Sequence, residues 1–138
     1  VWFPGALNAH PGGTAAAAAT IAELEDGRVY EHLYALGDYV RDAFTEISSR
    51  LGIPMYVAGY GSIFVPYFMD PELGPPRNYG DLMANDMEAD RAFRLAMVER
   101  GILFYPQPMR RICLTGAHSR ADVDLTLEIA EDVLRGMR

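Results

Sequence analysis

The chain has 138 residues, half of them apolar, and a formal net charge of −7; this is the composition of one globular domain with an ordinary core. The acidity argues against a nucleic-acid partner, which would need a basic face. No apolar run approaches the ~20 residues that cross a bilayer. No secretory leader is read at the start, and Cys113 is the only cysteine, so no internal disulfide is possible and a cytoplasmic setting is expected. All twelve basic residues are arginine. The chain therefore supplies no lysine as a base or as a Schiff-base partner.

In chain order, Pro11 suits the first turn of a helix, and Ala15 to Ala19 are strong helix formers without bulk. Asp26-Gly27 ends that run. Val29, Leu33, Leu36, Val40, Phe44, Ile47 and Leu51 recur every three or four residues, an apolar stripe that predicts a second helix ending at Gly52. Residues 55–58 and 62–69 read as two strands joined by a tight turn, with Pro66 placing part of the second at an edge or bulge. The proline-rich stretch 70–80 is a loop. A third helix is predicted over about 86–100, with Ala89, Ala92, Phe93, Ala96 and Met97 on its inner face and Gly101 as its stop. Residues 102–105 and 111–115 read as short strands. Ser119 with Asp122 forms a capping box that opens a last helix, with Val123, Leu127, Ala130, Val133 and Met137 inward. The order predicts an α+β layer, a short antiparallel sheet covered by helices.

Several residues are candidates for chemistry. Gly12-Gly13-Thr14 lacks the lysine and the spacing of a nucleotide-binding P-loop; close packing at a helix start is the plainer reading. Backbone N–H groups around Gly5, Ala6 and Leu7 suit a phosphate without any special side chain. His10, His32 and His118 do not share ligand spacing on one helix, which argues against a metal site. His10 and His118 read as turn residues and His32 as surface. Cys113 reads as a small core residue. Arg110-Arg111 opens a strand, so one should face inward and one outward; an inward arginine can fork onto a carboxylate or phosphate, and a surface salt bridge is the equal alternative.

Four stretches in order resemble a known family. Gly5 to Pro11, followed by an alanine-rich helix, is similar to the G-T-x-x-x-N-P turn of class III, fold type I aminotransferases. Val57 to Phe64 resembles the strand pair with x-G-S-M-F. Met97 to Ile102 resembles the L-x-x-x-G-V/I helix end. Thr115 to Ser119 with Asp122-Val123-Asp124 resembles S-L-A-H-T-x-x-D-I-D, typical of the branch around glutamate-1-semialdehyde aminomutase.

The resemblance implies the small C-terminal domain of such an enzyme at 28–138, preceded by a cofactor-phosphate turn and long interdomain helix at 1–27. It implies pyridoxal 5'-phosphate, a homodimer, a small amino compound as substrate, and a lysine-bearing N-terminal and large-domain segment that the chain itself lacks. In the family the G-T turn reaches the cofactor phosphate of the neighbouring subunit. Here its Thr is Ala6 and the Asn before Pro is His10, so Gly5, Ala6 and Leu7 are left with backbone donors. Arg110 falls where the aminomutase branch often has a glutamate; Arg110 or Arg111 is then expected to pair with a substrate carboxylate. Transamination is the expected activity. Intramolecular amino transfer or racemisation is the alternative within the same chemistry, and a non-catalytic truncated fragment, an interaction domain or one chain of a split enzyme are alternatives outside it.

Overall fold

The computed structural model describes Gly5 and residues 10–137. Helix α1 (Pro11–Leu24) and helix α2 (Arg28–Leu51) are followed by strands β1 (Tyr56–Tyr60) and β2 (Ile63–Tyr67). After two single 3-10 turns come helix α3 (Met87–Glu99), strand β3 (Ile112–Cys113) and helix α4 (Arg120–Gly136). The sheet is antiparallel in the order β1-β2-β3, and α2, α3 and α4 cover it, as the α+β reading requires.

The helix ends follow local chemistry. Pro11 begins α1. Gly52, at φ 68°, closes α2 with its N–H on the carbonyls of Ser48 and Ser49, a left-handed cap that glycine adopts without a Cβ clash. Asp86 caps α3 by accepting from the N–H groups of Glu88 and Ala89. Ser119 and Asp122 form the full reciprocal capping box of α4.

One core joins these elements. From α2, Leu36, Val40, Phe44, Ile47 and Leu51 are buried; from α4, Val123, Leu127, Ala130, Val133 and Leu134. Between them, Phe44, Phe64, Phe68, Phe93 and Phe104 pack with ring centroids 5.6–6.3 Å apart, in the tilted and edge-on geometries that aromatic rings prefer. The inner stripe of α2 is deepest in its C-terminal two-thirds; Val29 and Leu33 are only half-buried.

Two expected strands are altered. Residues 102–105 form none: Phe104 N–H bonds the Ile102 carbonyl at 2.9 Å, a local turn that removes those groups from a ladder. The strand expected over 111–115 shrinks to Ile112–Cys113, with one further bond from Leu114 N–H to the Ser62 carbonyl at 2.8 Å. Because β3 pairs only with Ile63 and Phe64, Pro66 lies past its reach, at an edge where a missing N–H costs no ladder bond. The hairpin turn is held from α2. A Cβ on Gly37 would lie 1.7 Å from the Gly61 carbonyl oxygen, and Arg41 Nη1 donates to that oxygen at 2.9 Å.

Candidate functional site

Of the three residues expected at the cofactor phosphate, Ala6 and Leu7 lie outside the described residues. Gly5 is exposed. It leads to an α1 start that no side chain caps; the His10 carbonyl takes the Thr14 N–H at 2.9 Å. Among the described residues, a Cβ on Gly12 would meet only the imidazole of His10, at 3.3 Å, and one on Gly13 would meet nothing within 4 Å. An exposed glycine before an uncapped helix start suits a phosphate. Nothing in a lysine-free chain can hold the aldehyde end of pyridoxal phosphate, so the fit is confined to the phosphate side.

Arg110 and Arg111 come together at a different place. They line a cleft of about 700 Å³ with Val65, Tyr67, Tyr105 and Met109. Both are exposed, which corrects the expectation of one inward and one outward. The reason is local. Pro106 and Pro108 carry no N–H for a ladder, and Met109 has φ 59°, so the two arginines sit in irregular chain between that turn and β3 and do not alternate across a strand. Arg110 Nε donates to Gln107 Oε1 at 2.8 Å, and its guanidinium lies 5.9 Å from the Tyr105 ring centroid. Among the described residues neither arginine forms an ion pair, so their charges face the cleft uncompensated. Burial, and then the nearby Asp90 charge, push the Tyr67 hydroxyl above its usual pKa. It stays protonated, a donor in the lining that the two arginines share. This chemistry suits an anion with several acceptor oxygens.

The histidines hold turns. His118 Nδ1 accepts from Thr115 N–H at 2.9 Å. His32 Nε2 lies 2.9 Å from the His118 carbonyl, tying exposed α2 surface to the turn that opens α4. Beside that turn, Tyr39 donates to Asp124 at 2.7 Å and Arg120 lies 3.2 Å above the Tyr39 ring. The Tyr39 and Arg120 bonds hold the Asp124 carboxyl below its usual pKa; bonds from Ser119 do the same for Asp122. The Thr115–Asp124 landmark is thus the joint between α2 and α4. Cys113 is exposed, not a core residue: with the strand cut to two residues, the inner face goes to Ile112. Among the described residues no cluster of His, Cys, Asp or Glu can hold a metal ion, and no helix is long and apolar enough to cross a membrane.

Sequence reasoning missed Asp90 and Arg94. Both are fully buried behind the cleft, paired at 2.5 Å. Their spacing with Phe93 and Met97 is an inner helical stripe in which two positions are charged, and that spacing was the available signal.

No family model matches the chain. Its sequence is 32% identical over 137 residues to a glutamate-1-semialdehyde 2,1-aminomutase of Desulfitobacterium hafniense (strain Y51), covering 99% of this chain and 31% of that protein. It is 31% identical over 138 residues to the enzyme of that name from Methanothermobacter thermautotrophicus, covering 100% and 32%. The chain therefore spans about a third of the length of the curated relatives it matches. Among solved structures, a glutamate-1-semialdehyde aminomutase from Pseudomonas aeruginosa PAO1 in complex with PMP superposes with a TM-score of 0.82 at 25% identity, over 96% of this chain and 28% of that one. An omega-transaminase from Sphaerobacter thermophilus shares the fold, with a TM-score of 0.77 at 24% identity over 98% and 30%. Over nearly its whole length the chain is homologous to about a third of glutamate-1-semialdehyde 2,1-aminomutase sequences, and it shares the fold of the C-terminal portion of class III pyridoxal-phosphate transaminases.

Proposed function

We propose that this chain forms the C-terminal part of a pyridoxal-phosphate-dependent aminotransferase acting on a carboxylate-bearing amino compound. The observation that carries the reading is the match to aminomutase sequences along 99% of the chain. In this reading residues 1–27 are the phosphate turn and connecting helix, and 28–138 the small domain. The cofactor, when bound, supplies an electron sink for amino-group chemistry. A lysine on a separate N-terminal and large-domain segment anchors it. Backbone N–H groups of Gly5, Ala6 and Leu7 hold its phosphate across a homodimer interface; Ala6 offers no hydroxyl, so the hold is weaker by about one hydrogen bond. Arg110 and Arg111 bind and orient the substrate carboxylate at the mouth of their cleft, with the Tyr67 hydroxyl as a further donor. One free, exposed cysteine is in keeping with a cytoplasmic setting.

A second reading, intramolecular amino transfer, is favoured by the names of the curated relatives. A carboxylate held by the two arginines fits either reaction, so the cleft does not separate them. The test is an absorbance spectrum of the purified protein with intact masses of every polypeptide in it. The long-wavelength band of bound pyridoxal phosphate, together with a lysine-bearing segment, is expected. A colourless protein in which that segment is present and cofactor has been added would overturn the reading.

A further inference from the structure

The buried pair on α3 has no part in the reading above, yet two of its three partners outside α3 belong to the arginine loop. Two buried charges are held by good geometry and by hydrogen bonds to their remaining lone pairs and protons; of the pair's buried nitrogens and oxygens, Arg94 Nη2 alone has no partner among the described residues. Asp90 and Arg94 have side chains with 0% exposure, and Arg94 Nε meets Asp90 Oδ1 at 2.5 Å. Asp90 Oδ2 accepts from Asn85 Nδ2 at 3.2 Å and from the Met109 backbone N–H at 2.7 Å. Arg94 Nη1 donates to the Tyr105 carbonyl at 3.4 Å. The pair therefore grips both ends of Tyr105-Pro106-Gln107-Pro108-Met109.

That segment has little to hold it by itself. Its two prolines carry no N–H, and its internal backbone bond runs from Gln107 N–H to the Tyr105 carbonyl, at 2.8 Å. Met109 is the one non-glycine residue with positive φ among those described. Such a conformation persists where its surroundings over-determine it. The bond from Met109 N–H to a buried carboxylate does this at the residue next to Arg110.

We propose that Asp90 and Arg94 are positioning residues for Arg110: the buried pair clamps the 105–109 turn so that the guanidinium is presented to the cleft. This inference rests on the assignment of Arg110 to a substrate carboxylate. It predicts that loosening the clamp weakens recognition of the carboxylate and leaves the chemical step unchanged.

The test uses the cofactor-loaded holoenzyme that carries this chain. Removing Asp90 alone would strand a buried arginine and unfold the domain, so the variant is Asp90→Leu with Arg94→Met, which removes both charges. KM for a carboxylate-bearing amino donor should rise about tenfold with kcat nearly unchanged, as for Arg110→Ala, and adding Arg110→Ala should raise it little further. KM for an amine without a carboxylate should not move. An unchanged KM for the carboxylate donor, in an enzyme where Arg110→Ala does raise it, would overturn the proposal. Should the double variant fail to fold, Arg94→Lys decides. It keeps the charge and loses the reach to the Tyr105 carbonyl, so a KM rise of about threefold is expected and no rise would count against the clamp. Should Arg110→Ala itself leave KM unchanged, the substrate assignment fails separately. The clamp is then read from hydrogen exchange at the Met109–Arg111 amides: faster exchange in the double variant supports it, and unaltered exchange refutes it.

Discussion

Helices α1 and α2 are neighbours in the chain and opposites in how they exist. Helix α1 runs for 14 residues and buries none of them; α2 runs for 24 and buries seven. Helix α1 rests on alanine propensity and a proline start. Helix α2 has weaker intrinsic formers, and its stripe of Leu36, Val40, Phe44 and Ile47 is held by the core. An isolated helix of α1's length is marginal in water even when alanine-rich, whereas tertiary packing fixes α2. The difference is one between local preference and cooperative burial, and it separates the segment that follows Gly5 from the part that carries the arginine cleft.

The comparison can be broken by mutation. Phe93 has no exposed surface and packs on Phe44, Phe68 and Phe104. Phe93→Ala should cost about 3–5 kcal/mol in denaturant unfolding. Ala17→Gly, in the middle of α1, should lower the stability of that helix by about 1 kcal/mol and, in this chain by itself, leave the global unfolding midpoint where it is. If Ala17→Gly shifted that midpoint as a core change does, α1 would belong to the same cooperative unit and the contrast would be wrong.

A second tie between α2 and α4, at the far end of α2 from the Thr115–Asp124 joint, responds to acid. Glu131 on α4 takes two bonds from Arg50 on α2, each at 2.8 Å, and is also bonded by Arg135. The Arg50 bonds, and then that of Arg135, lower its pKa from 4.5 to about 2. A carboxyl whose folded value is depressed stabilises the fold above its unfolded value and loses that contribution as pH falls through the folded one. Stability should therefore decline between about pH 4.5 and pH 2, and Glu131→Gln should flatten that part of the profile. An identical acid profile in the variant would remove this pair from the account.

Much of this was legible in the sequence, because helices announce themselves locally. The stripe of α2, the Gly52 stop, the Ser119–Asp122 box and the Asp86–Arg100 helix all rest on residues within a few positions of each other. What was not legible depended on partners far along the chain. Residues 102–105 have strand composition, yet no neighbour pairs with them. Cys113 has the composition of a core residue yet lies exposed, because β3 is only Ile112–Cys113 and Ile112 takes its inner side. Asp90 and Arg94 stand at inner-face positions with Phe93 and Met97, but charge disguised them as surface; their burial makes sense only once the loop carbonyl and amide they bind are in place. The arginines were found, and their orientation was not, for the same reason.

The measurement that bears most directly on the central claim is the kinetics of Arg110→Ala in the holoenzyme, with an amino donor that carries a carboxylate and one that does not. KM should rise about tenfold for the first and stay level for the second, the signature of a lost charge-assisted bond to the carboxylate. Equal KM values before and after the substitution, for both donors, would contradict the assignment of the cleft to substrate recognition.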